Sequence, residues 1–247
     1  LVATLTTARI TRIWAALSFG AALTLGAGGG LATAASPARP VLVELFTAQG
    51  CAGCPEANKV VAELADRPGV LALTFPVDYW DYLGWSDTFA QPEFTARQRA
   101  YQSRFKLREI YTPEVIVAGS KEAAGADKEK LVDLIEAEGR RARRSPQLRI
   151  ARRGERISVG SGAVPRGGLE AWLIRYDPMR REVRVERGEN RGRTVVHRNL
   201  VREVVRLGTW SGQPRTYSAP APKSDDLVSI VVLQEPRGGR VWSIARR

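Results

Sequence analysis

The chain has 247 residues, a formal net charge of +12, two cysteines and one histidine. Its 44% hydrophobic and 26% charged content excludes global disorder, and so few cysteines exclude a disulfide-rich scaffold and, with one histidine, a four-ligand zinc site free of carboxylates. At roughly 100–200 residues per domain, the length suits one large domain or two small ones.

Residues 1–34 are expected to form a signal peptide. Arg9 and Arg12 supply a positive start, Ile13 to Gly26 is uncharged and mostly apolar, and Ala32-Thr33-Ala34 offers small residues for cleavage after Ala34. The run is rich in Gly and Ala, so its hydrophobicity is weak for a retained anchor. The expected location is therefore periplasmic or secreted, with no stable membrane insertion once processed. Export would place both cysteines where a disulfide persists.

Residues 35–138 read as a first domain of alternating strands and helices. Val41 to Phe46 is an apolar run fit for a buried strand. Pro55 to Ala65 carries Ala57, Val60, Val61 and Leu64 at helical spacing, and Arg67-Pro68-Gly69 ends it. Val70 to Val77 is a second strand, Glu93 to Phe105 a helix, Val115 to Val117 a third strand, and Lys128 to Glu138 a closing helix. Residues 139–247 read as a second domain of short β-prone runs at 156–159, 169–176, 182–186, 194–197, 201–207, 227–233 and 240–244, with Pro236-Arg237-Gly238-Gly239 as a hairpin turn. An antiparallel β-sandwich-like domain is expected there. Charge divides at the same place: residues 35–138 carry 11 basic and 16 acidic side chains, residues 139–247 carry 25 and 10.

Chemistry concentrates in Phe46-Thr47-Ala48-Gln49-Gly50-Cys51-Ala52-Gly53-Cys54-Pro55. A Cys-x-x-Cys between a buried strand and the mouth of a helix is suited to a short-loop disulfide, and a helix N-terminus stabilises a thiolate. Cys51 is expected to be the exposed attacking thiolate and Cys54 the more buried resolving thiol. Pro55 stands where a first-turn N–H is not needed and where haem attachment would require His.

Several stretches carry a family resemblance. They are Glu44-Leu45-Phe46-Thr47, Gly50-Cys51, Cys54-Pro55, Val77-Asp78-Tyr79-Trp80-Asp81-Tyr82-Leu83-Gly84-Trp85, Phe94 to Tyr101, Tyr111-Thr112-Pro113, Gly188-Glu189-Asn190-Arg191-Gly192 and Arg206-Leu207-Gly208. On these the first half resembles the thioredoxin-like superfamily. The whole mature chain resembles an uncharacterised family of secreted bacterial proteins grouped as a domain of unknown function. The resemblance implies an α/β thioredoxin-like domain followed by the β-rich domain. It also implies that Pro113 is a cis-proline facing the cysteines, with Thr112 beside it, where its backbone seats a substrate peptide. The position before Val77, commonly His in such relatives, is Pro76, so that His is lacking.

The expected function is thiol–disulfide exchange through Cys51 and Cys54, with Pro113 completing the catalytic set. Thr112, Tyr79, Trp80 and Trp85 are expected at the substrate, and the aromatic segment reads equally as packing between the halves. Asp78 is a candidate for proton transfer or for a structural hydrogen bond. The substrate is a protein or small-molecule thiol or disulfide, served by a redox partner protein, and no cofactor or metal is called for. The alternative is a non-catalytic binding module with a structural disulfide, and a third reading is copper(I) held by two thiolates. His197 reads as structural or solvated. The arginines of the second half read as a solvated strand face or as a surface for an anionic envelope component; export and the lack of a recognisable module exclude nucleic acid.

Overall fold

The computed structural model describes residues 40–141, 146–150 and 156–247. The expected signal segment, 1–34, lies outside the described residues. Strand β1 (Val41–Thr47) is buried along its whole length, as its continuous apolar run requires of a strand covered on both faces. Val41, Val43 and Leu45 point to one face, and Leu42 and Phe46 to the other. Helix α1 (Cys54–Ala65) then crosses to β2 (Val70–Pro76), which pairs with β1 in parallel. Helix α2 (Pro92–Phe105) follows, and β3 (Glu114–Val117) returns antiparallel on the other flank of β1. A hairpin leads to β4 (Lys121–Ala124) and then to α3 (Lys128–Gly139), whose N-terminus is capped by Asp127 accepting from the Lys130 N–H at 3.0 Å.

The helices divide between the two faces. Ala57, Val60, Val61 and Leu64 of α1 pack with Leu131 and Ile135 of α3 under one face. Phe94 and Tyr101 of α2 cover the other. Helix α2 also buries Thr95, Arg97 and Gln98, so its inward stripe is half polar. Arg97 Nε donates to Glu44 Oε1 of β1 at 2.6 Å, and its guanidinium lies over the rings of Phe75, Tyr101 and Trp172. Burial opposes charge on Arg97, but the neighbouring Glu44 carboxylate outweighs it and raises the arginine's pKa. The Tyr101 hydroxyl donates to the second Glu44 oxygen and accepts from Gln234 at 2.9 Å.

The second half contributes β5 (Leu148–Ile150), β6 (Arg156–Val159), β7 (Leu169–Asp177), β8 (Arg181–Arg184), β9 (Thr194–His197), β10 (Leu200–Trp210), β11 (Arg215–Ser218), β12 (Val228–Gln234) and β13 (Val241–Arg246). Four of these extend the first half's sheet, giving one eight-stranded sheet in the order β13-β12-β7-β10-β2-β1-β3-β4. The fold is thus mixed α/β, with a large sheet and few helices. Strands β11-β6-β5 form a small sheet and β8-β9 a ribbon.

Across the division expected at residue 139, the described residues share one sheet. The join lies at β2 and β10, where Leu200 pairs with Thr74 in parallel. Around it, the Thr74 N–H donates to Asn199 O at 3.0 Å, Thr74 Oγ1 to Arg198 O at 2.7 Å and Asn199 Nδ2 to Ala72 O at 2.8 Å. The free edge of β2 would otherwise expose unpaired backbone groups, and β10 satisfies them. The expected antiparallel sandwich is correspondingly reduced. Only the small sheet packs face to face on the large one, through Ile157, Val159 and Tyr217 against Leu169, Ala171, Leu173, Val231 and Leu233.

The expected hairpin between the last two strands is present, and its connection bends back to the β3–β4 turn, where Val241 N donates to Ala118 O at 2.9 Å. That turn has positive φ at both Ala118 and Gly119 (51° and 61°), a type I′-like geometry. A Cβ at Gly119 would collide with the Gly239 carbonyl.

Candidate functional site

The cysteine pair sits where β1 gives way to α1. The chain turns at Ala48-Gln49-Gly50, with the Cys51 N–H bonded to Ala48 O at 3.2 Å and the Cys54 N–H to Cys51 O at 3.2 Å. Cys51 and Cys54 form a disulfide with a Cα–Cα separation of 5.4 Å, and the Ala48 N–H approaches Cys54 Sγ at 3.5 Å. The Thr112–Pro113 peptide is cis, and this loop abuts the pair: Thr112 O lies 3.7 Å from Cys51 Sγ. It is held there by Gly125, whose N–H donates to Pro113 O at 3.0 Å. A Cβ at Gly125 would stand 2.9 Å from Ala57 of α1 and 3.0 Å from Pro113 Cβ, so only glycine lets these segments meet without displacement.

Cys51 departs from expectation: it is 2% exposed, although Ala52 and Gly53 face solvent. The cover includes a loop from the second half, Gly188 to Gly192. Asn190, fully buried, donates through Nδ2 to Gln49 O at 2.9 Å and Cys51 O at 2.6 Å. Its Oδ1 accepts from Arg193 at 3.0 Å. Glu189 Oε2 accepts from the Ala52 N–H at 2.9 Å. These residues were absent from the expected site. Their signal was a polar segment between glycines, Gly188-Glu189-Asn190-Arg191-Gly192, but nothing local shows where such a segment docks.

The aromatic segment is divided by depth. Tyr79 and Trp80 are half-buried and pack on the core beside the cysteines. Trp85 Nε1 donates to Gln49 Oε1 at 2.9 Å, while Tyr82 projects into solvent at 79% exposure. Asp78 is engaged elsewhere, since its Oδ1 accepts from Thr95 Oγ1 of α2 at 2.6 Å. That is the structural hydrogen bond, and no contact joins it to Cys54 among the described residues.

Two other carboxyls are buried near the motif. Asp87 accepts from the Gln49 N–H at 2.7 Å, and burial pushes its pKa up to about 6 against its backbone hydrogen bonds. Glu114, next to Pro113, accepts from Gln98 Nε2 at 2.7 Å, and burial pushes it to about 7. Burial likewise raises the Tyr79 phenol to about 12. Gln49 Nε2, Trp80 Nε1 and Glu114 Oε1 are buried without a hydrogen-bond partner among the described residues. No group of three or more His, Cys, Asp and Glu among the described residues is placed to hold a metal ion, and none of the described helices is long and apolar enough to cross a membrane.

His197 is structural. It is 1% exposed, packs edge-on to Phe89 and lies 3.4 Å from Asn58 Nδ2 through its Nδ1. Burial lowers its pKa to about 4. The unfolded chain, with an ordinary value near 6.5, therefore binds a proton that the folded chain refuses between those limits. Stability from this residue is complete above about pH 6.5 and is lost as pH falls toward 4, by up to about 3 kcal/mol. His197→Phe is expected to flatten that acid limb in denaturation midpoints measured from pH 7 to 4; an unchanged limb would place the proton uptake elsewhere.

The chain is similar to several known proteins. A 38-residue stretch is 47% identical to a probable thioredoxin of Archaeoglobus fulgidus, and covers 15% of this chain and 42% of that relative. Protein AGR_C_4864 of Agrobacterium tumefaciens superposes with a TM-score of 0.69 at 30% identity, over 86% of this chain and 95% of that one. HBP35 of Porphyromonas gingivalis shares the fold at 13% identity and a TM-score of 0.59, over 86% and 76% of the two chains. The family model for a protein of unknown function, DUF1223, matches residues 42–234. With that match spanning both the cysteine motif and the loop that covers it, the chain belongs to the DUF1223 family.

Proposed function

We propose that this chain is an exported thiol–disulfide oxidoreductase with a thioredoxin-like first half. The observation that carries the reading is the placement of the cysteine pair: a Cys-x-x-Cys disulfide at the junction of a buried strand and the N-terminus of α1, with the Thr112–Pro113 loop against Cys51. The succession β1-α1-β2-α2-β3-β4-α3 around that junction, and the stretch shared with a probable thioredoxin, support it.

In the reducing direction, the Cys51 thiolate attacks one sulfur of a substrate disulfide and the other leaves as a thiolate. Cys54 then attacks Cys51 Sγ in the mixed disulfide. The internal bridge re-forms, the second substrate sulfur departs, and two electrons have passed from the couple to the substrate. The reverse sequence oxidises a dithiol. Thr112 and Pro113 offer backbone beside Cys51 for a substrate strand, with Tyr79, Trp80 and Trp85 shaping the surroundings.

The burial of Cys51 favours a second reading, a binding module around a permanent bridge. Its surface would include Tyr82 and the groove lined by Arg149 and Arg215, the latter suited to an anionic envelope component. Trapping separates the two. In an exporting bacterial host, Cys54→Ala is expected to accumulate mixed disulfides that vanish when Cys51 is also replaced. A couple below about −300 mV, resistant to thiol buffers, with no Cys51-dependent adduct, would overturn the enzyme reading.

A further inference from the structure

The loop over the cysteines does more than cover them, because it brings a charge. Glu189 places its carboxylate on the Ala52 N–H at 2.9 Å, between the two cysteines and just ahead of the N-terminus of α1. Asn190 anchors the loop by bonding the main chain on both sides of Gly50. Gly188 has φ +75°, and a Cβ there would lie 3.8 Å from Gly50 Cα, so the loop follows the motif's backbone closely. At this end of α1, Gly53 is the N-cap, with no side-chain cap, and Glu56 is the acidic residue of the first turn.

We propose that Glu189 is a positioning residue that sets the reduction potential of the Cys51–Cys54 couple, holding it toward the disulfide. The inference rests on the thiol–disulfide reading above. Reduction takes up two electrons and, with Cys51 held as a thiolate, one proton on Cys54. The thiolate of an external dithiol attacks Cys51 Sγ and Cys54 leaves as a thiolate. The second external sulfur then releases Cys51 and closes its own disulfide. In the reduced protein the helix end stabilises negative charge on Cys51. A carboxylate standing at that end repels the charge and competes for the same positive potential. The neutral bridge feels no such repulsion, so Glu189 disfavours the reduced state and makes the couple more reducing. Other ionisable groups near the motif are Glu56 in the first turn of α1, Asp87 on the Gln49 N–H, Glu114 next to Pro113, and Arg193 on Asn190. Asp87 meets the motif on its strand side, whereas Glu189 bonds the N–H that lies between the two cysteines.

The test uses the full chain equilibrated in dithiothreitol redox buffers at pH 7. Glu189→Gln keeps the shape and removes the charge. It is expected to shift the thiol–disulfide equilibrium toward the dithiol by about fivefold, the effect of one unit charge at about 4 Å in water, or about 20 mV at 29.6 mV per decade. Glu189→Asp is expected to stay nearer the parent, and the Glu189→Gln difference is expected to shrink in 1 M KCl, where about 3 Å of screening length remains. An unshifted potential in Glu189→Gln, or an equal shift in Glu189→Asp that ignores salt, would overturn the inference and point to geometry alone. The trapping of Cys51-dependent adducts is independent of this measurement: adducts with no potential shift would leave the enzyme reading standing and remove the role of Glu189.

Discussion

Replacing Arg97 with methionine is expected to lower the unfolding free energy by about 3–5 kcal/mol, the range for breaking a buried ion pair by removing one partner. The Arg97 and Glu44 side chains are 6% and 0% exposed and meet at 2.6 Å. Without the guanidinium, Glu44 keeps the Tyr101 hydroxyl but loses its counter-charge in a dry core. Gln234 of β12 loses the Arg97 donor that its Oε1 accepts at 3.1 Å. The contact therefore runs between the two halves of the sequence, and a single cooperative transition should move. Denaturant midpoints would measure the loss. The double variant Arg97→Met with Glu44→Leu is expected to recover much of it, because replacing both charges with apolar volume avoids the stranded carboxylate. A single-variant loss below about 1 kcal/mol, typical of an exposed pair, would mean that water reaches Glu44.

Asn190→Ala is the second large effect, and it reports on the cap. The Gln49 carbonyl loses its Asn190 donor at 2.9 Å, and the Cys51 carbonyl loses the shorter of its two donors, at 2.6 Å, keeping the Cys54 N–H at 3.2 Å. Leaving the buried Gln49 carbonyl unpaired costs about 2 kcal/mol. The same change loosens the loop bonded to the backbone around Cys51, a residue that is 2% exposed. If reduction proceeds through local opening, lowering the opening free energy by that amount raises the rate of reduction by a phosphine about thirtyfold, at about 1.4 kcal/mol per decade. Stopped-time alkylation of the freed thiols would follow it. A destabilised variant whose bridge is reduced at the parental rate would show that the attacking reagent enters from another side, such as past Trp80.

Much of the local structure was legible because it depends on local pattern. The buried runs at β1 and β2, the 3.6-residue spacing of α1 and α3, and the alternating runs of the second half all became elements near their expected bounds. The strands not expected from the sequence, β4, β5 and β11, are three or four residues long, too short for a period to show. Lys121-Glu122-Ala123-Ala124 is also poor in β-formers and pairs along the edge that β3 offers, so its strand character comes from a neighbour and not from propensity.

By itself the sequence determined the local frame of the candidate site, a cysteine pair at a strand–helix junction, and a chain divided into an acidic and a basic half; that the Pro113 loop meets the pair was implied by the family resemblance and not by local pattern. Covalent spacing and hydrophobic period act over a few residues, so they can be read from a few residues. Only the tertiary structure decided that the halves share one sheet through β2 and β10, and that Glu189 and Asn190 close over a motif some 139 positions earlier in the chain. A strand edge pairs with whichever strand satisfies its backbone, and a polar loop docks wherever carbonyls need donors. Both are settled by which groups the folded core leaves unpaired, a property that no local run of residues carries.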